Sequence, residues 1–274
     1  MTKSTSRRNF LKYSSQNLLK VGILSYFSIP IGITPLYAEL LKNKKQLTLL
    51  NDRPINAETP PHLLDDAITP TPRHFVRNNG IPPDFTDVNA NNWVLKINGN
   101  VNRPKEYSIE KLKNNFQIVT KALQLECGGN GRAFFDPPAT GNQWTYGAVA
   151  CSKWTGVKLR DVLEASSIKS NSIYTAHYSA DIHLSGDSQK DAISRGIPIS
   201  KALDEDNIIA FAMNGKDIPH IHGYPLRLVC PGWPGSTSQK WLTQITILDH
   251  IHNGAKMTGK SYKVPKKPIA PGTV

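Results

Sequence analysis

The 274-residue sequence contains only three cysteines, Cys127, Cys151 and Cys230. Their positions do not form the Cys-x-x-Cys-His pattern that attaches haem, nor the ligand spacing of a zinc site, so no haem is predicted on this chain. Cys151 and Cys230 are predicted to be buried free thiols. A disulfide between these two is the alternative if the protein enters an oxidising compartment.

Several other features are absent. The sequence has no internal repeat and no low-complexity segment, and no basic run with interleaved aromatic residues indicates nucleic-acid binding. The moderately apolar run of residues 21–37 is interrupted by serine and proline and is too short and broken for a membrane span. Gly129-x-Gly131 follows a predicted strand, but Phe134 occupies the position of the third glycine in a dinucleotide-binding loop, which weighs against NAD.

The formal net charge is +12, and part of it is concentrated at the N-terminus. Residues 1–38 contain five lysines and arginines and no acidic residue, so 28 basic and 21 acidic residues remain elsewhere, a net charge of +7. A surface with this excess of positive charge favours acidic partners or anionic substrates.

Two adjacent arginines, Arg7 and Arg8, lie close to the N-terminus. Ser-Arg-Arg-Asn-Phe-Leu-Lys at residues 6–12, followed by the moderately apolar run, is typical of a twin-arginine export signal. The sequence thus predicts export in the folded state through the twin-arginine machinery to the periplasm, with residues 1–38 as the signal. Cleavage after Ala38, an uncleaved anchor and an N-terminal amphipathic helix remain open.

The rest of the chain is predicted to be α+β with a mixed sheet, because strands and short helices interleave without a βαβ rhythm. Residues 39–72 are polar and interrupted by prolines, which predicts an irregular arm on the surface. Ser108 is a predicted helix cap. Strands are predicted at residues 93–97, 121–125, 208–213, 224–230 and 241–248, and helices at 108–116 and 157–165.

The most specific stretch outside the N-terminus is Leu-Glu-Cys-Gly-Gly-Asn-Gly-Arg at residues 125–132. It joins a thiol to glycines whose main-chain N–H groups can approach an anion, and it ends in an arginine. Thiolate is a soft metal ligand, and exposed N–H groups with an arginine suit phosphate or another oxyanion. Because a lone cysteine is most often a small buried hydrophobe, the loop alone leaves both readings open.

Residues 73–80 form a second basic segment, Arg-His-Phe-Val-Arg-Asn-Asn-Gly. Its two arginines, its histidine and its two asparagines predict a loop that lines a binding site for an anionic ligand. A solvated basic turn is the alternative.

These segments occur in one order with His-Gly-Tyr-Pro-Leu-Arg at 222–227 and Lys-Trp-Leu at 240–242. Together they resemble the sulfite oxidase family of molybdenum enzymes, most closely its exported bacterial sulfite dehydrogenases without haem. The resemblance implies the sulfite-oxidase-type molybdopterin-binding fold over residues 73–257, a bound molybdenum–molybdopterin cofactor, and oxidation of sulfite to sulfate with electrons passed to a separate c-type cytochrome.

The resemblance also implies roles for individual residues. Cys127 matches the thiolate that binds molybdenum. Substrate-pocket positions are matched by Arg77, Arg132, Trp144 and Tyr262, and positions that hold the pyranopterin and its phosphate by Phe75, Asn79, Asp181, His222, Arg227, Ser238 and Lys240.

The sequence departs from the family in two places. Thr140 stands where many relatives carry a pocket lysine. The family's immunoglobulin-like dimerisation domain, which adds a substrate arginine, is expected to be absent, with residues 258–274 as a tail or its beginning. This leaves dimerisation and full sulfite affinity open. Two alternatives also remain: a related molybdenum enzyme acting on a sulfoxide or on sulfane sulfur, and a truncated cofactor- or oxyanion-binding protein without turnover.

Overall fold

The computed structural model of the protein describes residues 44–257. The predicted export signal and Tyr262 lie outside the described residues. The strands are β1 (Thr48–Asp52), β2 (Ile55–Glu58), β3 (Val94–Gly99), β4 (Lys105–Ser108), β5 (Ile118–Glu126), β6 (Val149–Lys158), β7 (Tyr174–Ser179), β8 (Ile208–Met213), β9 (Lys216–Asp217), β10 (Arg227–Val229) and β11 (Leu242–Leu248). The α-helices are α1 (Ile109–Asn115), α2 (Leu159–Ala165) and α3 (Ile199–Ala202).

Two sheets form the body of the fold. One is antiparallel, with strand order β10-β8-β6-β5 and the short β9 paired to β8. The other has the order β4-β3-β11-β7 and is mixed, because β11 runs parallel to β3 and antiparallel to β7. This arrangement, with only short helices, confirms the predicted α+β class with a mixed sheet.

The core divides into two clusters of buried side chains. The larger packs α1 and α2 against the mixed sheet and includes Leu95, Leu163 and Ile245. The smaller contains Leu125 and Cys127, at the end of β5 and just beyond it. Burying these apolar side chains supplies the main driving force for folding. The start of the cysteine loop is therefore anchored in the smaller cluster.

The N-terminal arm differs from its prediction. Residues 48–58 form the antiparallel hairpin β1–β2, and all four residues of β2 are buried. Polar side chains can be buried here because they are hydrogen bonded. Asn56 Oδ1 accepts from Asn78 N at 2.7 Å, and Glu58 accepts from Thr145 N and Oγ1 at 2.8 and 2.9 Å. The prediction of an irregular surface arm was wrong for this stretch, because its polarity serves internal hydrogen bonds.

The first residue of one predicted helix is set by a local cap, and that of the other is set by strand pairing. Ser108 caps α1 as predicted, with its Oγ accepting from Lys111 N at 3.1 Å. The second predicted helix begins two residues late, because Val157 pairs with Ile118 and Ile209 as part of β6. Between residues 44 and 257, no helix has the length and apolar character needed to cross a membrane.

Candidate functional site

A single cavity collects most of the predicted site residues. The cavity and the open space at its mouth together amount to about 720 Å³. Arg132 and Trp144 are not among its lining residues. The predicted residues that line it are Phe75, Arg77, Asn79, Cys127, Asp181, His222, Arg227, Ser238 and Lys240.

The main chain holds the thiol at one end of this cavity. Cys127 follows β5 directly, and its N–H donates to Ala148 O at 2.9 Å. The loop then turns back, so that Asn130 N donates to Cys127 O at 2.9 Å and Gly129 N lies 3.5 Å from the Cys127 sulfur. Cys127 is buried, with 8% of its surface exposed, and backbone hydrogen bonds fix its position in the cavity lining.

Arg132 begins a short 3-10 helix after the loop and folds back over it. A Cβ atom at Gly129 would lie 2.4 Å from Arg132 Nη2, and one at Gly141 would lie 2.7 Å from Nη1. Arg132 Nη1 also donates to Asn142 O at 3.2 Å. The glycines therefore make room for the guanidinium, which packs on Gly129 and Gly141.

Trp144 is completely buried in the smaller core cluster. Its ring packs edge-to-face against Phe75 at a centroid distance of 6.3 Å, and Phe75 is the ring that lines the cavity. Its role as a pocket wall stays a prediction.

Arg227 is a buried cation that lines the same cavity and forms, with His222 and Lys240, a second group of lining residues, the cationic end. Its Nη1 donates to His222 O at 2.8 Å and its Nη2 to Ser238 O at 3.1 Å, and the guanidinium lies 4.8 Å from the Trp154 ring. Burial lowers the pKa of Arg227 to about 9. These contacts hold the side chain in place, but carbonyl oxygens and an indole ring do not neutralise its charge. A buried cation of this kind favours an anionic ligand.

Lys240 adds a second cation beside Arg227. Its Nζ donates to Asn78 Oδ1 and, at 3.0 Å, to Ile221 O. Gly223 permits this approach: it has a φ of 107°, and a Cβ there would lie 2.8 Å from the Lys240 Cβ. Burial and the neighbouring Arg227 charge lower the pKa of Lys240 well below its ordinary value.

Asp181 is the acidic residue that lines the cavity, together with Arg77, Arg227 and Lys240. Ser179 Oγ donates to Asp181 Oδ1, and the pKa of Asp181 is raised, chiefly by burial. Burial thus disfavours the charged form of this carboxyl.

Arg77 and Lys256 both donate hydrogen bonds to the side-chain amide of Asn79. Arg77 Nη2 donates to Asn79 Oδ1 at 2.8 Å, and Lys256 Nζ donates to the same oxygen at 3.0 Å. The other nitrogen of the Arg77 fork donates to Asn78 O. Asn79 thereby positions Arg77 at the cavity and brings a distant lysine next to it.

Sequence reasoning missed several contributors. His74 and Asn78 belong to the basic segment that was identified, but neither was assigned a role, and Gln239 lies between two residues that were. Lys44 and Lys256 carried no usable signal, because Lys44 lies far along the chain from its partner His222, and Lys256 lies equally far from Asn79.

The residues present fit a molybdenum-bearing pyranopterin. Among residues 44–257, the buried polar atoms His74 Nδ1, Ser236 Oγ and Gln239 Oε1 find no hydrogen-bond partner, and all three residues line the cavity. Buried polar atoms are normally paired, so these three favour a polar ligand. A pterin offers hydrogen-bonding edges, its phosphate matches the cationic end, and the Cys127 thiolate suits molybdenum.

Comparisons with known proteins agree with this fit. Residues 80–256 match the oxidoreductase molybdopterin binding domain. The nitrate reductase (NADPH) of Mycosarcoma maydis is 33% identical over 235 residues, which cover 78% of this chain and 24% of that protein. The nitrate reductase (NAD(P)H) of Hordeum vulgare is 32% identical over 209 residues, or 73% of this chain and 23% of that protein.

A solved structure matches as well. The sulfane dehydrogenase SoxCD from Paracoccus pantotrophus superposes with a TM-score of 0.63 at 27% sequence identity, covering 82% of this chain and 55% of that one. The chain spans about a quarter of the length of the curated nitrate reductases. A thiol and a cationic end in one cavity, the matched domain and the shared fold lead to one conclusion: the chain belongs to the sulfite oxidase family of molybdopterin-binding oxidoreductases.

Proposed function

We propose that this molybdopterin oxidoreductase oxidises sulfite to sulfate. One observation carries the proposal: a single cavity joins Cys127 to Arg77, Arg227 and Lys240, with Asp181 as its acidic lining residue. Sulfite is a small dianion at or above neutral pH, and a cationic cavity raises its local concentration. A thiolate at the same cavity suits the metal that such an oxidation requires.

The cofactor would lie between the two ends of the cavity. Cys127 would bind molybdenum, and the bound centre would supply oxygen-atom transfer and accept two electrons. At the far end, the cations would hold the phosphate through charge-assisted hydrogen bonds, each worth about 1.5–3 kcal/mol. The residues assigned to the pyranopterin and its phosphate are Phe75, Asn79, Asp181, His222, Arg227, Ser238 and Lys240.

The protein's part in the reaction is to bind and orient the substrate. Arg77 lines the cavity and would place its positive charge against the sulfite oxygens, which leaves the sulfur lone pair free to point at the metal. Arg132 packs on Gly129 of the cysteine loop, outside the cavity lining, and would add positive charge near Cys127. Trp144 and Tyr262 are the remaining residues assigned to the substrate pocket. Trp144 would act indirectly, by supporting the Phe75 ring against which it packs.

Nitrate reduction is the second candidate, because the nitrate reductases are 32–33% identical to most of this chain. Sulfane sulfur is a third substrate class, suggested by the likeness to the sulfane dehydrogenase. A cationic cavity next to molybdenum suits all three reactions, and sulfite is chosen because the segments that contain Arg77, Cys127 and His222 resemble those of the family's sulfite dehydrogenases.

Steady-state assays on the molybdenum-loaded protein separate these readings. Sulfite and thiosulfate are offered with ferricyanide as electron acceptor, and nitrate is offered with a reduced viologen dye as donor. We expect turnover with sulfite. Turnover with thiosulfate or nitrate alone would replace the proposal with the corresponding alternative, and binding of sulfite without turnover would indicate an oxyanion-binding protein.

We further propose that the protein works in the periplasm and passes electrons to a separate c-type cytochrome, with no haem on its own chain. The support is the Arg7-Arg8 pair in the N-terminal segment. Replacing both arginines by lysine should retain the protein in the cytoplasm in cell fractionation. Continued periplasmic accumulation of the Lys-Lys variant would contradict export by the twin-arginine route.

A further inference from the structure

Lys44 contacts the cationic end of the cavity without lining it. Its Nζ lies 2.5 Å from Thr71 O, 2.9 Å from His74 O and 2.7 Å from His222 Nε2. His74 and His222 are both buried, and both line the cavity. The lysine therefore reaches the site through a histidine that is itself part of the wall.

The three partners of Lys44 constrain its protons. Two of them are carbonyl oxygens, which can only accept, so two N–H groups of Lys44 are committed to them. An ammonium has a third N–H for His222 Nε2, and the ring proton then sits on Nδ1. A neutral amine would instead accept from Nε2–H and leave Nδ1 as an acceptor. The state of Lys44 thus decides whether the other ring nitrogen donates or accepts.

The surroundings favour a neutral imidazole and respond to an anion. Burial and the nearby charges of Lys44, Lys240 and Arg227, together with His74, lower the pKa of His222 well below its ordinary value. Burial lowers the pKa of Lys44 to about 7. A bound anion would oppose that shift and stabilise the ammonium, because an opposite charge favours the charged form.

We propose that Lys44 is a positioning residue for cofactor retention: its ammonium holds His222 as the neutral Nδ1–H tautomer, so that the ring donates a hydrogen bond to an anionic group of the bound cofactor. The inference rests on the family's cofactor and not on the substrate, so a failure of sulfite oxidation leaves it unaffected. It makes the segment that contains Lys44 part of the cofactor site.

The tautomer can be measured in the unsubstituted full-length protein. Histidine 15N–1H spectra of the molybdenum-loaded protein at pH 8 distinguish the two ring nitrogens, and the His222 signals are assigned by their loss in His222→Gln. We expect a protonated Nδ1 and an unprotonated Nε2. A protonated Nε2 with a bare Nδ1, or a doubly protonated ring, would overturn the proposal. This readout requires no Lys44 variant to fold.

Variants test the consequence for retention. Lys44→Met keeps the length of the side chain but removes its donors, Lys44→Arg restores donors, and Lys45→Met is the matched control because Lys45 is exposed. Molybdenum content is followed by metal analysis during prolonged dialysis. We expect Lys44→Met to lose molybdenum about tenfold faster than the unsubstituted protein. This is the lower end of the loss in metal affinity that usually follows when a residue hydrogen bonded to a ligand is replaced. Lys44→Arg should recover part of the retention.

Melting temperatures of the cofactor-free proteins separate positioning from folding. We expect Lys44→Met to melt close to the unsubstituted protein while its loaded form loses molybdenum. Equal rates of molybdenum loss in the Lys44→Met and Lys45→Met proteins would overturn the proposal, as would a failure of Lys44→Arg to recover any retention in a protein that melts normally.

Discussion

The two ends of the cavity are built in different ways. At the thiol end, one continuous loop carries Cys127, and the main-chain partners Ala148 and Asn130 hold it. At the cationic end, Arg227 and Lys240 come from separate segments and are held by side-chain hydrogen bonds to carbonyl and amide oxygens. The thiol end is thus held by main-chain hydrogen bonds, whereas the cations of the other end are held through their own side chains.

This difference has an energetic side. The thiol end places a sulfur, which is easily tolerated in an apolar core, against the smaller core cluster. The cationic end buries positive charges near one another, and burial lowers the pKa values of Arg227, Lys240 and Lys44. Such an arrangement opposes folding until an anion neutralises it. Substitutions at the thiol end should therefore affect chemistry first, and substitutions at the cationic end should affect cofactor retention first.

The largest effect is expected at Cys127. Cys127→Ser should remove nearly all turnover, because a hydroxyl is a poor substitute for a soft thiolate ligand of molybdenum. The protein should still fold, since the Cys127 main-chain bonds are retained. Metal analysis and sulfite turnover of the purified protein measure the effect, and Cys151→Ser is the control because Cys151 is partly buried and does not line the cavity. Turnover at the unsubstituted rate in Cys127→Ser would refute the thiolate assignment.

Arg77 tests substrate binding. Arg77→Gln should raise the KM for sulfite about 30–150-fold, the loss expected for a charge-assisted contact of about 2–3 kcal/mol. Molybdenum content should stay near normal, and the effect should shrink at high salt because exposed charges are screened. Full kinetics across an ionic-strength series check this. A fully loaded Arg77→Gln enzyme with unchanged sulfite kinetics would remove Arg77 from the substrate site.

Arg227 tests the cationic end. Arg227→Met should reduce the molybdenum retained after purification about tenfold, since at least one charge-assisted bond to the cofactor is lost. The cofactor-free protein should melt no lower than the unsubstituted one, because an unneutralised buried cation has been removed. Arg160→Met is the matched control, because Arg160 forms its ion pair with Glu205 away from the cavity. Full retention with only a raised KM would move Arg227 to the substrate site.

The smallest effect concerns pH. The folded-state pKa values of Lys44 and Arg227 are lowered to about 7 and about 9, so above pH 7 the unfolded chain binds more protons than the folded one. The stability of the cofactor-free protein should therefore rise with pH between about 7 and 10, by about 2–4 °C in melting temperature for each kcal/mol. In the cofactor-loaded protein, the anion should raise the pKa values of Lys44 and Arg227 again. The increase of stability with pH should therefore be smaller than in the cofactor-free protein. Parallel melting curves of both forms decide; an equal pH dependence would show that the cations do not face the cofactor.

Sequence alone established the features that depend on neighbouring residues. The helix cap at Ser108 and the final strand, β11, follow from short-range chemistry and were predicted correctly. The order of the motifs around Cys127, Arg77 and Arg227 was sufficient to indicate the family. The same local reasoning failed for β2, whose polar residues imitate a surface segment until their buried partners are known.

Only the tertiary structure decided which charges share one space. Lys44 lies next to His222 and Lys256 next to Asn79, and sequence separations of 178 and 177 residues carry no local signal that could pair them. Trp144 packs behind Phe75, and Arg132 packs on the glycines of its own loop. The physical reason is that pKa values and ligand affinity depend on burial and on the distance between charges. Both are set when the sheets pack together and bring residues 74–79, 222–227 and 238–240 around a single cavity.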